Sequence, residues 1–216
     1  MLLAQLEAKG AGVEVEDVMS RSWAARALHR VLYLGPHTCP WWFAYTFDNP
    51  LRGLVHDPAT ILGGLVRPGD RVVDLGCGLG FFTLALAKLV GPEGTVVAVD
   101  LQEEMLRRTG QRAERRGLAE RIALHQCAPD RIGVEGVADF VLAFWMVHEV
   151  SQPESFLAEI WSLLRPSGHL LITEPKGHVP ESFFAKTAER ARRAGFLTVP
   201  GPAVRFSRAI LCSKPG

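Results

Sequence analysis

The residues best equipped for proton transfer follow two apolar runs of the chain. Ala138–Phe144 is followed by Trp145, Met146, His148 and Glu149, and His169–Thr173 by Glu174, Pro175, Lys176 and His178. A neutral imidazole, with an ordinary pKa of about 6.5, takes a proton from a weakly acidic nucleophile near neutral pH. His148 is the first candidate for that role, and Glu174 for orienting the substrate or sharing a proton with His148 or His178. The competing reading of His148 is a histidine that is only hydrogen-bonded structure. A second group has the spacing of a ligand cradle. In Val72-Val73-Asp74-Leu75-Gly76-Cys77-Gly78-Leu79-Gly80 an apolar run enters a glycine turn and then a helix. Gly76 and Gly78 let the backbone turn sharply and approach a ligand, and Gly80 lets the helix pack near the strand. The next run, Val96-Val97-Ala98-Val99, ends in Asp100, whose carboxylate can accept from two ribose hydroxyls of a nucleoside lying across the loop. Capping of a helix that starts at Gln102 is the alternative role for Asp100.

These side chains meet only if the apolar runs are neighbouring parallel strands whose carboxyl ends share one rim. The pattern from Pro68 onward predicts that arrangement, with strands at Arg71–Leu75, Thr95–Asp100, Arg121–Gln126, Ala138–Phe144 and His169–Thr173. Helices are expected over Gly80–Val90, Gln102–Arg116, Pro153–Leu164 and Glu181–Ala194, with Gly91-Pro92, Gly117, Pro166-Ser167-Gly168 and Gly195 just past their ends. Two last runs, Phe196–Val199 and Ala203–Cys212, are too close for a crossover helix and predict an antiparallel hairpin on the sheet edge. The fold class is therefore α/β, a seven-stranded and mostly parallel sheet, Rossmann-like, with a C-terminal antiparallel hairpin. Residues 1–66 read as a helical and aromatic cap on the same compact domain, and residues 67–216 as the domain proper. Within the cap, Trp41, Trp42, Phe43, Tyr45 and Phe47 lie close together; Tyr45 and Phe47 are expected to form a lid that touches substrate, and at least one of the two tryptophans to be core.

Composition narrows the partners. With 24 basic and 23 acidic residues the chain has a formal charge of only +1, so no global field draws it to nucleic acid or an anionic membrane. The four cysteines are far apart, without a C-x-x-C pair, and a disulfide framework or a metal site is not expected. Neither a signal peptide nor an apolar run long enough to span a bilayer is legible, which makes a cytoplasmic protein the expectation. A small-molecule partner is expected; oligomeric state is not readable.

The segments VVDLGCGLG at 72–80, VVAVD at 96–100, ADFVLAFWMVHEV at 138–150 and LLRPSGHLLITEP at 163–175 resemble the Rossmann-like, class I S-adenosylmethionine-dependent methyltransferases. The group they are most similar to is the small-molecule branch that includes the ubiquinone and menaquinone biosynthesis methyltransferases. The resemblance implies S-adenosylmethionine as cofactor and in-line transfer of its methyl group to a small molecule. It implies that the backbone at Gly76, Cys77 and Gly78 holds the methionine portion, that Asp74 reaches its ammonium, and that Asp100 holds the ribose. Leu101 and Met105 would give apolar surface to the adenine, although packing of the helix from Gln102 accounts equally well for Met105. Where the family commonly has Gly-Asp-Ala after the third strand, this chain has Gln126-Cys127-Ala128, so adenine would rely on backbone groups at Cys127 and Ala128, or on Asp130. Phe144 would border the cofactor, while Trp145 and His178 would line the substrate site; an inward, packing position is the alternative for Trp145. Two further readings are a nicotinamide-dependent oxidoreductase, disfavoured by Phe81 at the third dinucleotide glycine position, and a non-catalytic nucleoside-binding module.

Overall fold

The computed structural model describes residues 52–216. Helix α1 (Arg52–Val55) and helix α2 (Pro58–Leu62) lead into strand β1 (Arg71–Leu75). Helix α3 (Phe81–Leu89), β2 (Thr95–Asp100), α4 (Glu103–Glu114), β3 (Ile122–Gln126) and β4 (Ala138–Phe144) follow. The chain then forms α5 (Pro153–Leu163), β5 (Leu164–Pro175), α6 (Glu181–Arg193), β6 (Leu197–Pro200) and β7 (Ser207–Ser213). The helix starts obey local chemistry. Asp57 accepts from the Ala59 and Thr60 amides ahead of α2, Pro58 and Pro153 open their helices, and Glu103 and Glu104 lie at the positive end of α4.

The strand order is β3-β2-β1-β4-β5-β7-β6. All pairings from β3 to β5 are parallel, and β7 runs antiparallel to both β5 and β6. From β1 the chain crosses outward to β2 on one side and later returns to β4 on the other, so a crevice opens beyond the carboxyl ends of β1 and β4. Central strands read as continuous apolar runs because both faces are covered. One face packs Val73, Val141, Leu170 and Ile172 against Leu157, Ile160 and Ala191. The other packs Val72, Phe140, Leu142 and Leu171 against Ile61, Leu62, Phe82 and Leu86. Ile61, Leu62 and Val66, which precede the expected start of the domain at residue 67, are thus buried in its core.

Two expectations are corrected here, and the expected edge hairpin is borne out. Strand β5 begins at Leu164, and Pro166-Ser167-Gly168 is not a helix terminator loop: Ala138 pairs with Leu164 before the register shifts to Phe140 and His169, and Ser167 takes up the irregularity at φ 60°. The hairpin does form, but β7 is inserted between β5 and β6, so β6 is the edge. And the neighbour that demands glycine at position 80 is not β1. Gly80 has φ +79°, and a Cβ there would lie 2.7 Å from Thr109 Cγ2 on α4. Gly80→Ala is expected to lower stability by about 1–3 kcal/mol, through left-handed strain and overpacking together. Thermal denaturation within half a degree of the parent would show that α4 yields freely.

Candidate active site

The glycine loop and two carboxylates form one connected unit at the crevice. Asp74, in β1, is 2 % exposed and accepts from Thr83 Oγ1 at 2.6 Å. Burial pushes its carboxyl up to about 7, against the lowering effects of the Thr83 hydroxyl and the Arg52 charge, with Asp100 adding a further push upward. Asp100, at the end of β2, accepts from the Gly78 amide through Oδ2 and from the Gln102 amide through Oδ1, both at 3.0 Å. Asp100 therefore organises the start of α4, the capping role read from the sequence, and in addition pins the glycine loop. Burial raises its carboxyl, and the amides of Gln102, Gly78 and Leu101 oppose that rise. Thr109 Oγ1 donates to the Gly78 carbonyl at 3.0 Å and Cys77 N–H to the Val99 carbonyl at 3.0 Å, so α4 and β2 hold the loop rigid.

This donor and acceptor set fits the cofactor that the sequence implies. Gly78 has φ +54°, yet a Cβ built there meets nothing within 4 Å, so open space lies over the loop where a ligand would rest. Gly76, at φ +67°, is approached by Met146, whose Cβ and Cγ would lie 3.0 Å from an added Cβ. A buried carboxyl lifted to about 7 lacks a cationic neighbour strong enough to hold it ionised, and a ligand ammonium would supply one. The sign of its effect on stability follows. A carboxyl whose folded pKa exceeds the unfolded value costs stability as pH rises from about 4 to about 7, and the cost stays constant above that. Asp74→Asn is accordingly expected to raise the stability of the ligand-free protein, and with it the Tm, at pH 8 but not at pH 4, by roughly 1–3 kcal/mol of unfolding free energy, while weakening cofactor binding. A pH-independent change in Tm would refute the assignment.

On the adenine side the two backbone amides are engaged within the fold. The amide of Cys127 donates to the Asp100 carbonyl at 3.1 Å and that of Ala128 to the Arg131 carbonyl at 3.0 Å. The first bond extends the β2–β3 pairing, and the second closes a tight turn that pairs Ala128 with Arg131 and leaves Asp130 exposed at its tip. Burial lifts the Cys127 thiol to about 11, so it stays protonated at neutral pH. Leu101 is half-buried at the crevice, and its carbonyl accepts from Gln126 Nε2 at 3.0 Å. Met105 is 3 % exposed, which favours the packing role left open for it.

The rim beyond β4 and β5 carries the groups for proton transfer. Glu174 is a strand residue with 0 % exposure; its Oε1 accepts from the His148 amide at 2.9 Å and its Oε2 lies 2.7 Å from His148 Nδ1. Since a carboxylate only accepts, Nδ1 carries the proton, and in the neutral ring Nε2 holds the lone pair. Burial pulls the His148 pKa down, but the hydrogen bond and charge of Glu174, with the charge of Glu149, outweigh it and hold the imidazole above its ordinary range. His178 stacks edge-on at 4.8 Å between ring centroids, and burial and the nearby His148 lower its pKa.

Phe144 is buried and Trp145 half-buried beside it. Trp145 adopts φ 60°, a left-handed conformation uncommon for a bulky residue; its amide donates to the Thr173 carbonyl and its Nε1 to Ser207 Oγ, both at 2.9 Å. Sequence reasoning missed His56, whose ring packs edge-on against Phe144 and Trp145, and Arg52, whose guanidinium lies 4.5 Å above Phe81. Neither belongs to a motif. Tyr45 and Phe47, with the lid expected of them, lie outside the described residues. A separate cavity of about 490 Å³ lies at the opposite end of the strands, lined in part by Asp139, Arg165, His169 and Lys214. Its charges are engaged within the fold, Asp139 by the Arg71 amide and Arg165, Lys214 by the Trp161 and Leu164 carbonyls. Among the described residues no three or more metal-ligating side chains cluster, and no helix is long and apolar enough to cross a membrane.

Comparison with known proteins bears on the family and the fold. Ubiquinone/menaquinone biosynthesis C-methyltransferase UbiE from Cupriavidus metallidurans is 32 % identical over 116 residues, 53 % of this chain and 47 % of that protein. Demethylmenaquinone methyltransferase from Lactobacillus johnsonii is 33 % identical over 110 residues, 50 % of this chain and 45 % of that one. The chain thus spans about half the length of the curated relatives it matches. The crystal structure of a SAM-dependent methyltransferase from Aquifex aeolicus superposes with a TM-score of 0.74, covering 82 % of this chain and 99 % of that one at 24 % identity, so the fold is shared. The profile described as a methyltransferase domain matches residues 67–200, well over half of the chain and the whole stretch from the glycine loop to β6, which sets the nicotinamide-dependent alternative aside: the chain belongs to the methyltransferase-domain family.

Proposed function

We propose that the protein transfers a methyl group from S-adenosylmethionine to a small hydroxylated aromatic molecule, with His148 as general base and Glu174 as its orienting partner. The observation that carries this reading is the buried Glu174 carboxylate fixing Nδ1–H of His148 on the same rim as the glycine loop. When bound, S-adenosylmethionine supplies an electrophilic methyl group on a sulfonium. The Gly76–Gly78 backbone, Asp74 and Asp100 hold its methionine and ribose portions. His148 Nε2 takes the proton of the nucleophile as it attacks, and Glu174 stabilises the imidazolium formed at Nδ1. Phe144, Trp145 and Met146 line the path with apolar surface, which keeps water from the reacting centre and favours in-line alignment.

A small acceptor is preferred to nucleic acid because the chain is nearly neutral and has no basic face interleaved with aromatics. The names of its relatives, which concern ubiquinone and menaquinone biosynthesis, favour a quinol-like ring. The test uses methyl-labelled S-adenosylmethionine with a panel of benzene- and naphthalenediols, and calorimetry against NAD. Label in an organic-soluble product together with selective binding of S-adenosylmethionine is expected. Binding of NAD with equal or higher affinity would overturn the reading.

A further inference from the structure

Among the described residues, the buried polar atoms His56 Nδ1 and Thr173 Oγ1 make no hydrogen bond. Buried polar atoms are nearly always paired, so each needs an explanation. His56 is 3 % exposed and Thr173 fully buried. The tautomer of His56 follows from its other nitrogen. Nε2 lies 3.0 Å from the Arg205 carbonyl, which can only accept, so Nε2 carries the proton and Nδ1 is a bare lone pair. Burial and the charge of Arg52 hold the ring below its ordinary pKa, against the pull of the Arg205 carbonyl, and keep that lone pair available at neutral pH.

The two atoms share one neighbourhood. The His56 ring stands edge-on to Phe144 at 5.5 Å and to Trp145 at 5.0 Å. Thr173 is the register partner of Phe144 in the parallel β4–β5 pair, so both side chains project from the same face of the sheet. Trp145, held at φ 60° between the Thr173 carbonyl and Ser207, closes the group. Strain and bare polar atoms concentrated at one rim mark a place built for a ligand rather than for stability.

We propose that His56 is an acceptor-positioning residue: its Nδ1 takes a hydrogen bond from a hydroxyl of the aromatic methyl acceptor, whose ring lies against Phe144 and Trp145. Thr173 Oγ1 is the second polar contact on that face. The assignment rests on the reaction proposed above and adds a requirement to it, that the acceptor present an O–H donor besides the atom that is methylated.

The probe is 1,4-dihydroxynaphthalene, with 1,4-dimethoxynaphthalene as the same ring system without a donor, each titrated in the presence of S-adenosylhomocysteine under reducing conditions. In the unaltered protein labelled with ¹⁵N-histidine, the pyridine-type Nδ1 resonance of His56 is expected to move upfield with the diol and to stay in place with the diether. The diol should bind at least about tenfold more tightly than the diether. In His56→Phe, and in His56→Gln if the first variant folds poorly, that preference should fall to about twofold while affinity for S-adenosylhomocysteine is unchanged. Equal binding of diol and diether, no binding of the diol, or an unmoved Nδ1 resonance overturns the assignment. Failure to bind S-adenosylhomocysteine overturns the proposed reaction instead, and the diol-to-diether comparison without it still decides on His56.

Discussion

Glu174→Gln is expected to lower kcat by about 10²–10⁴-fold and to move the acidic limb of the pH–rate profile to lower pH. The charge of Glu174 raises the His148 pKa against the effect of burial, and an amide at position 174 removes that support while leaving burial in place. His148 then becomes neutral at lower pH, yet it is a weaker base, and the amide can present its NH₂ to Nδ1 and invert the tautomer. The stability effect has the same pH sense as that of Asp74, since both folded pKa values are raised, but for His148 it is a gain present at low pH rather than a cost incurred at high pH. A histidine whose folded pKa is raised contributes stability that is fully present below about 6.5 and is lost as pH rises through the folded value. The Tm difference between parent and variant should therefore be larger at pH 5.5 than at pH 9. An unchanged pH–rate profile with kcat merely reduced would demote Glu174 to a structural anchor.

Asp100→Ala is expected to weaken binding of S-adenosylhomocysteine by about 30- to 1,000-fold, from the loss of two charge-assisted hydrogen bonds to ribose. It also leaves the amides of Gly78 and Gln102 without their acceptor, so the loop loosens and Tm falls. Asp100→Asn separates the two effects, because one oxygen remains to accept from one of those amides. Calorimetry that finds parental affinity in a folded Asp100→Ala protein would remove the carboxylate from the ribose site.

The fold was largely legible because its elements are announced by short-range rules. Strands β1, β2 and β4 begin and end where the apolar runs do, and Gly91, Gly117 and Gly195 all take positive φ past helix ends. The start of β5 was not legible, since Pro166-Ser167-Gly168 carries strong turn chemistry and only the pairing of Leu164 with Ala138 overrides it. In the site, residues attached to a motif or a strand end were visible: Asp74, Asp100, His148 and Glu174. What composition and spacing do not encode is who consumes a hydrogen bond. The engagement of the Cys127 amide depends on the Asp100 carbonyl of β2 and that of the Ala128 amide on a turn closed by Arg131, and the meeting of His56 with Arg205 spans most of the described chain. Such pairings are set by tertiary packing, which a local pattern does not carry.

The insertion of β7 between β5 and β6 also bears on synthesis. As the chain leaves the ribosome from its N-terminal end, β5 is complete well before Ser207 appears, and its outer hydrogen-bonding edge stays open through the making of α6 and β6. β6 cannot close that edge in advance, because in the finished sheet it pairs with β7 and not with β5. A nascent chain that stalls in this interval presents the bare ladder of Leu170, Leu171 and Ile172 to any other strand, the situation in which unfinished sheets template aggregation. Slow codons or proteolytic nicks ahead of β7 should therefore cost soluble yield far more than similar interruptions ahead of β3, the other edge of the sheet.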